Sequence, residues 1–186
     1  MAQHTRTGTA TPDTSAPADG RVRKAAAWAY ARSGFGLAAA TLLADQLHKW
    51  WMIGLWKLPL GHRLPITPFL DLVYVVNPGI SYSLLANLGQ MPLIVFALIS
   101  SLALAVWIVH AHSRLVAASL GLIAGGALGN AIDRLHLGGV ADFFSLHAAG
   151  FYWYVFNIAD VAIVAGVAGL LYDSIVVSRK KVGNAA

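Results

Sequence analysis

The sequence contains no cysteine and no glutamate. Without cysteine the chain has no disulfides, no thiol nucleophile and no thiolate metal site. All acidic residues are therefore aspartates, and any carboxylate chemistry must come from these eight side chains. Charged residues are also scarce, at 11% of the chain against about 25% in a typical soluble domain. This scarcity excludes a large soluble domain.

Apolar residues make up 58% of the 186-residue chain, and the mean hydropathy is +0.64. A membrane-spanning helix needs about 20 predominantly apolar residues, so a chain of this length has room for roughly three to five spans. Mostly apolar stretches occupy four ranges: 34–55, 91–109, 115–132 and 156–177. The sequence therefore predicts an all-α membrane protein with four transmembrane helices.

Four spans place both termini on the same side of the membrane, and the basic residues indicate which side. Most of them fall on the side of the termini: Arg6, Arg21, Arg23, Lys24, Arg32, Arg114, Arg179, Lys180 and Lys181. The remainder fall on the other side: Lys49, Lys57, Arg63 and Arg134. The positive-inside rule then predicts cytoplasmic termini. The net charge of +5 follows from this topology, and basic residues are not interleaved with aromatic ones as in nucleic-acid-binding proteins.

The two ends of the chain are predicted to lie outside the membrane domain of residues 25–178. Residues 1–24 are rich in Ala, Thr, Asp and Pro and lack apolar periodicity, which predicts a disordered cytoplasmic tail. This start also resembles the basic region of a signal peptide with a small-residue cleavage site at 38–40, although the apolar run continues past that site. Residues 179–186 are predicted to form a basic cytoplasmic tail.

The segment between the first two spans, about 57–83, breaks the helical pattern with Pro59, Pro65, Pro68 and Pro78. Residues 69–76 are β-branched and aromatic, which predicts a strand, and Asn77-Pro78-Gly79 predicts a turn. Since open sheet edges are not tolerated in lipid, a small sheet should lie at the membrane surface, where it could grip an extended peptide by strand addition. The alternative is a simple loop between helices.

Three of the eight aspartates, Asp133, Asp142 and Asp160, lie within the stretch 125–160. A carboxylate near the hydrocarbon boundary costs a few kcal/mol, so such residues are candidates for a functional site. Asn130 precedes Asp133 by three residues and Arg134 by four, and Asn157 precedes Asp160 by three. Residues at these spacings share a helical face. Two such faces meeting at the outer leaflet would combine carboxylates with amide groups.

Two carboxylates brought within a few ångströms share one proton and titrate as a unit. Such a pair can activate water with its ionised member and polarise a peptide carbonyl with its protonated member. The spacing leaves all three pairings of the aspartates open. Structural alternatives also stand: Asp133 could pair with a nearby arginine, Asp160 could cap a helix, and Asp45 could be the i+4 partner of Lys49 or lie near the active site.

Other chemistries have little support in the sequence. There is no HExxH motif and no His/Cys cluster, so no metal site is predicted. The serines lack a nucleophile-elbow motif, and no phosphate-binding loop of standard spacing occurs. Gly121, Gly125 and Gly129 recur every four residues in the third span, a pattern that predicts close packing against a neighbouring helix.

Five short motifs in the same order resemble the lipoprotein signal peptidase family, signal peptidase II. They are DQLHK at 45–49, VNPGISYS at 76–83, GNAIDR at 129–134, VADF at 140–143 and FNIAD at 156–160. Each motif is weak alone. Together, with the four-span layout across about 35–178, they are specific.

The resemblance implies a metal-independent aspartic endopeptidase of the bacterial inner membrane, without a cofactor and acting as a monomer among phospholipids. Its substrate would be a diacylglyceryl prolipoprotein, cut just before the lipid-bearing cysteine. Carried over by motif, Asp142 and Asp160 would be catalytic, and Asp45 would be structural at the edge of the site. Five residues would form the substrate-binding shell: Asn77, Asn130, Asp133, Arg134 and Asn157. The segment 57–83 would be the periplasmic β-cradle of the family.

The chain departs from the family pattern at Ser81-Tyr82, where Ala-Phe is usual, and Pro78 follows the motif asparagine. These differences bear on substrate contacts and not on the chemistry.

Two other functional classes remain as alternatives. A small transporter or channel would use the same aspartates to bind protons or cations, and a structural scaffold would need Asp142 and Asp160 only for folding.

Overall fold

The computed structural model describes residues 16–79 and 89–183, with side-chain environments for 25–79 and 89–176. The order of elements is α1 (Ala16–Trp50), a π-helical turn (Trp51–Leu55), β1 (Arg63–Thr67), β2 (Leu70–Asn77), α2 (Met91–Val109), α3 (Arg114–Leu137), β3 (Val140–Ala148), β4 (Phe151–Phe156) and α4 (Ile158–Gly183). The helices form a bundle, and the strands form one sheet.

Three helical segments of the described chain are long and apolar enough to cross a membrane: Met91–Val109, Arg114–Leu137 and Ile158–Val176. Their ends carry local stop and start signals. Ser113 caps α3 by accepting a hydrogen bond from the Val116 amide at 3.1 Å, and Gly138 ends α3 in the left-handed region with φ of 71°. The helix α1 is long enough but less apolar, so the fourth predicted span stays a prediction.

The helix α3 lies at the centre of the bundle and packs against α1, α4 and α2. A Cβ atom added at Gly121 or Gly125 would collide with the α1 backbone at Gly34 or Ala38. The predicted helix-packing role of these glycines is thereby confirmed. At Gly129 an added Cβ would instead meet the Asp45 carboxylate at 2.5 Å. The missing side chain at Gly129 therefore leaves room for a buried acid.

A valine at Gly125 should destabilise the bundle by about 1–3 kcal/mol, because overpacking forces backbones apart. Gly36→Val is the matched control, since an added Cβ at Gly36 meets nothing within 4 Å. Thermal unfolding in detergent micelles measures the difference. Equal unfolding temperatures for the two variants would contradict the close α1–α3 contact.

The four strands are antiparallel in the order β1-β2-β3-β4. The predicted strand at 69–76 is confirmed by β2, and the loop alternative is wrong for that stretch. One face of the sheet packs on the π-helical turn that follows α1 through a buried cluster: Met52, Leu58, Tyr74, Ala141 and Phe143. Pairing of Asn77 with Val140 and of Val75 with Asp142 brings the end of β2 beside the start of β3.

The prediction that the sheet lies between the first two helices is incomplete. Half of it, β3 and β4, comes from the segment between α3 and α4. The two strands are joined through Ala149 and Gly150, both with positive φ (49° and 81°), which suits a tight hairpin. The aromatic and β-branched run of β4 was the available signal for a strand.

The predicted tails also need correction. Residues 16–24 belong to α1, and residues 179–183 belong to α4. Pro17 stands in the first turn of α1, where a missing N–H costs nothing, and the alanines that follow favour helix. Residues 1–15, 184–186 and the part of the predicted cradle from 80 to 83, including Ser81 and Tyr82, lie outside the described residues.

Candidate active site

Asp160 stands in the first turn of α4, where it and Asn157 cap the helix reciprocally. The Asn157 side-chain Oδ1 accepts a hydrogen bond from the Asp160 amide at 2.9 Å, and the Asp160 Oδ2 accepts one from the Asn157 amide at 3.2 Å. This is the geometry of a capping box. The end of the helix therefore holds the Asp160 carboxylate in place. Asp160 can cap the helix and have a functional role at the same time.

Asp142 lies on β3 and is held by two asparagines from different elements. Asn157 Nδ2 donates to Asp142 Oδ1 at 2.7 Å, and Asn77 Nδ2, at the end of β2, donates to Asp142 Oδ2 at 3.2 Å. The turn after β2 fixes the orientation of Asn77, because its Oδ1 accepts a hydrogen bond from the Gly79 amide at 2.9 Å. Asp142 is 1% exposed and Asn157 is fully buried.

Asn157 therefore contacts both carboxyl groups, and Asn130 completes the network. Asn130 Nδ2 donates to Asp160 Oδ1 at 2.9 Å, while its Oδ1 accepts from Asn157 Nδ2 at 3.1 Å. Each of the four carboxylate oxygens thus receives a hydrogen bond from a neutral donor. Among the described residues, no lysine or arginine lies within ion-pair distance of Asp142 or Asp160. A network of this kind orients two carboxyl groups without neutralising them.

Burial raises the pKa of the Asp142 carboxyl to about 6. The negative charge of Asp160 adds to this increase, whereas the hydrogen bonds from Asn77 and Asn157 and the ammonium of Lys49 oppose it. A carboxyl with this pKa can hold a proton at mildly acidic pH and exchange it near neutrality. This is a suitable property for acid–base catalysis.

Asp133 lies close by but has different partners. Its Oδ2 contacts Lys49 Nζ at 2.6 Å and accepts from the Ala141 amide at 3.0 Å, and its Oδ1 accepts from Gln46 Nε2 at 3.1 Å. Asp133 is buried. Of the three aspartates in the stretch 125–160, the structure brings Asp142 and Asp160 together around Asn157 and places Asp133 in an ion pair with a lysine, not with the arginine considered from the sequence.

Asp45 is also internal. Its Oδ2 pairs with Lys49 Nζ at 2.7 Å, as the i+4 spacing suggested, and its Oδ1 accepts from the Ala159 amide at 3.1 Å.

Arg134 is half-buried and donates to the Asn130 carbonyl at 3.1 Å, while its Nε has no partner among the described residues. Arg134 thus keeps part of its donor capacity beside the two carboxyl groups.

One cavity reaches Asp160 and a second cavity adjoins the first; together they form what we call the apolar trough. One, of about 410 Å³, runs along α4 from Asp160 and is lined by Trp153, Tyr154, Phe156, Asp160, Val161, Val164, Ala165 and Ala168. The other, of about 370 Å³, lies against the sheet and is lined by Leu70, Phe144, Leu146, Phe156, Ile158 and Val161. They share Phe156 and Val161. The trough offers an apolar surface directly beside a carboxyl group.

Sequence reasoning gave Lys49 only the role of an ion-pair partner of Asp45, and it gave Gln46 no role. Both belong to the motif DQLHK, whose i, i+1, i+4 polar spacing on an otherwise apolar helix was the available signal. The side chains reach the site because Gly121 and Gly125 let α1 and α3 approach closely.

Comparison with known proteins places this architecture in a family. The family model described as "Signal peptidase (SPase) II" matches residues 37–176. A protein of Methylocella silvestris named lipoprotein signal peptidase is 49% identical over 146 residues, covering 77% of this chain and 85% of the relative. One of Beijerinckia indica with the same name is 48% identical over 143 residues, covering 75% and 86%. A solved structure described as a bacterial membrane enzyme superposes with a TM-score of 0.69 at 25% identity, covering 80% of this chain and 90% of that one.

Proposed function

Because this chain belongs to the signal peptidase II family of aspartic peptidases, we propose that Asp142 and Asp160 are its catalytic pair. The family removes signal peptides from prolipoproteins, and this chain is such an enzyme of the bacterial membrane. The observation that carries the residue assignment is the position of Asn157, whose side chain and amide hydrogen-bond to both carboxyl groups.

In the proposed mechanism the two carboxyl groups share one proton. Asp142 holds it in the free enzyme, because burial raises its pKa, and Asp160 serves as the base. Asp160 takes a proton from a water molecule as the water oxygen attacks the scissile carbonyl carbon, while Asp142 donates a hydrogen bond to the carbonyl oxygen. The C–N bond of the tetrahedral intermediate then breaks, and the proton on Asp160 passes to the leaving amine.

The substrate proposed here is a diacylglyceryl prolipoprotein, cut N-terminal to its lipidated cysteine. Support comes from the apolar trough, which begins at Asp160 and continues along α4 and the sheet. A lipid-modified residue presents a peptide bond and hydrocarbon side by side, and the trough presents the matching surfaces. Asn77 and Arg134 would contact the substrate, whereas Asn130 and Asn157 would hold the catalytic pair.

In the proposed membrane arrangement all four helices span the inner membrane, both termini are cytoplasmic, and the sheet and the catalytic pair lie at the outer face. The distribution of basic residues supports this orientation. The clustering of Asp45, Asp133, Asp142 and Asp160 at one end of the bundle also favours a peptidase over a proton or cation carrier, which would need acidic groups through the bilayer depth.

The substrate assignment is tested with purified enzyme in detergent micelles and one prolipoprotein in two forms, with and without the diacylglyceryl group. We expect cleavage of the lipidated form and little cleavage of the other. The second form is the matched control, since the peptide sequence is the same. Equal cleavage of both forms would contradict a role for the lipid in recognition.

The pH dependence of the reaction follows from the pKa of Asp142. Below about 6 Asp142 keeps the shared proton; above that pH the proton leaves, and Asp142 can no longer donate a hydrogen bond to the substrate carbonyl. We therefore expect kcat/KM to fall as the pH rises through about 6, since this quantity reports groups of the free enzyme. Initial rates measured from pH about 4 to about 8 test this. A kcat/KM that stays level or rises above pH 6 would contradict the assignment of the proton to Asp142.

A further inference from the structure

Two carboxylates outside the catalytic pair each hold the backbone next to one member of that pair. Asp133 Oδ2 accepts the amide hydrogen of Ala141, which directly precedes Asp142, at 3.0 Å. Asp45 Oδ1 accepts the amide hydrogen of Ala159, which directly precedes Asp160, at 3.1 Å. The strand β3 and the helix α4 are thus fixed to α3 and α1 one residue before each carboxyl group.

A single ammonium group lies between these two anchors. Lys49 Nζ is 2.7 Å from Asp45 Oδ2 and 2.6 Å from Asp133 Oδ2, and it is 3.5 Å from Asn130 Oδ1. Asn130 in turn donates to Asp160. Lys49, Asp45 and Asp133 are each less than 5% exposed, so the three charges interact with little screening by water.

From this geometry we propose that Lys49 is a positioning residue that sets the separation of the Asp142 and Asp160 carboxyl groups by holding their two backbone anchors together. The proposal rests on the proposed function of that pair. Lys49 does not touch the pair within ion-pair distance, so its effect on the positions of the two carboxyl groups passes through Asp45 to Ala159 and through Asp133 to Ala141. It gives the ammonium of the DQLHK motif a role in the rate of the reaction beyond its ion pair with Asp45.

Removal of the ammonium has a definite physical consequence. In Lys49→Met, two buried carboxylates face each other with no cation between them, and such an arrangement is strongly unfavourable. They must move apart or take up a proton, and either change alters the hydrogen bond to Ala141 or Ala159. Because an error of about 1 Å in placing reacting groups can cost about 100-fold in rate, we expect kcat to fall about 100-fold. KM should stay within about twofold, since Lys49 does not line the apolar trough proposed to hold the substrate.

The double variant Asp45→Asn/Lys49→Met separates positioning from a simple need for the lysine. It keeps the net charge of the three-residue group at one negative charge, because one acid and one base are removed together. The asparagine oxygen at position 45 can still accept from the Ala159 amide, and its Nδ2 can donate to Asp133. We expect the double variant to recover about tenfold in kcat over Lys49→Met, while Arg114→Met, which removes an exposed cation at the far end of the bundle, keeps the activity of the wild type.

The pH profile gives a readout that a purely structural role would not move. Asp142 is faced by the carboxylate of Asp160, the ammonium of Lys49 and the guanidinium of Arg134. Loss of the Lys49 charge raises the pKa of Asp142, so the decline of kcat/KM should begin at higher pH in Lys49→Met and return toward the profile of the wild type in the double variant.

The experiment measures kcat, KM and the pH profile of the four full-length proteins in micelles, with each rate divided by the folded fraction from a thermal melt. The proposal is overturned if Lys49→Met keeps the kcat of the wild type, if its defect lies in KM alone, or if the double variant is no more active than the single one. Its failure is distinguishable from failure of the proposed function: inactive Asp142→Asn and Asp160→Asn with a normal Lys49→Met would remove only the positioning role.

Discussion

Replacement of either Asp142 or Asp160 by asparagine will lower the rate of prolipoprotein cleavage by about 10³- to 10⁴-fold, the upper part of the range for loss of general acid–base catalysis. Asparagine has nearly the shape of aspartate, but in place of Asp160 it can neither accept a proton from water nor deliver one to the leaving amine. In place of Asp142 it cannot hold the proton that the pair shares. Each carboxyl group is held by hydrogen bonds from neutral donors, and an asparagine oxygen can keep part of them. The loss should therefore appear in kcat with the fold intact.

Cleavage of a lipidated precursor, followed on a gel over time, measures this effect, and a thermal melt reports the fold. Asp173→Asn is the matched control. Asp173 lies on α4 far from the catalytic pair and contacts His112 and Ser113 at the other end of the bundle. Normal processing by either Asp142→Asn or Asp160→Asn would remove that residue from the catalytic pair, and normal processing by both would favour the scaffold alternative.

Asn157→Ala should have the second largest effect, because this one side chain serves both carboxyl groups. Its loss removes the 2.7 Å hydrogen bond to Asp142 and the cap on the Asp160 amide at 2.9 Å. We expect kcat to fall about 100-fold through misplacement of the pair. The free energy of unfolding should fall by about 2 kcal/mol, since a helix cap and a buried hydrogen-bond partner are lost together.

Ser113→Ala provides the comparison for Asn157→Ala. It removes the N-terminal cap of α3, which costs about 1 kcal/mol, but it lies at the opposite end of the bundle from the catalytic pair. Chemical unfolding and kinetics on both variants separate stability from chemistry. If Ser113→Ala lowers kcat as much as Asn157→Ala does, the loss comes from general destabilisation, and the central position of Asn157 has no catalytic meaning.

Elements that depend on local signals could be predicted from the sequence. The second span, predicted at 91–109, is α2, and the strand predicted at 69–76 is β2 within one residue at each end. The turn at Asn77-Pro78-Gly79 and the packing of Gly121 and Gly125 were also accessible. Hydrophobic runs, prolines and regularly spaced glycines are patterns contained in short stretches of sequence. They can therefore be interpreted without knowing the fold.

The strand β4 carried a local signal in its aromatic run, but β3 and its pairing could not be placed in the same way. The segment 140–156 contains an aspartate, a histidine and an Ala-Gly pair among its apolar residues, and it has no clean alternation. It becomes a hairpin of the sheet because β2, which lies more than 60 positions earlier in the chain, offers a free edge for β3. Tertiary pairing, and not local preference, decides its conformation.

The chemistry available to this protein was determined by the sequence alone: aspartate as the sole acid, no thiol, asparagines three residues before two of those acids, and apolar spans that confine them to the membrane. The choice of partners was decided only by the tertiary structure. Asn157 holds Asp142 beside Asp160, while Lys49 pairs with Asp45 and Asp133. Spacing along one helix fixes which residues share its face, but which faces meet depends on how the helices and the sheet pack, and that is a property of the whole fold.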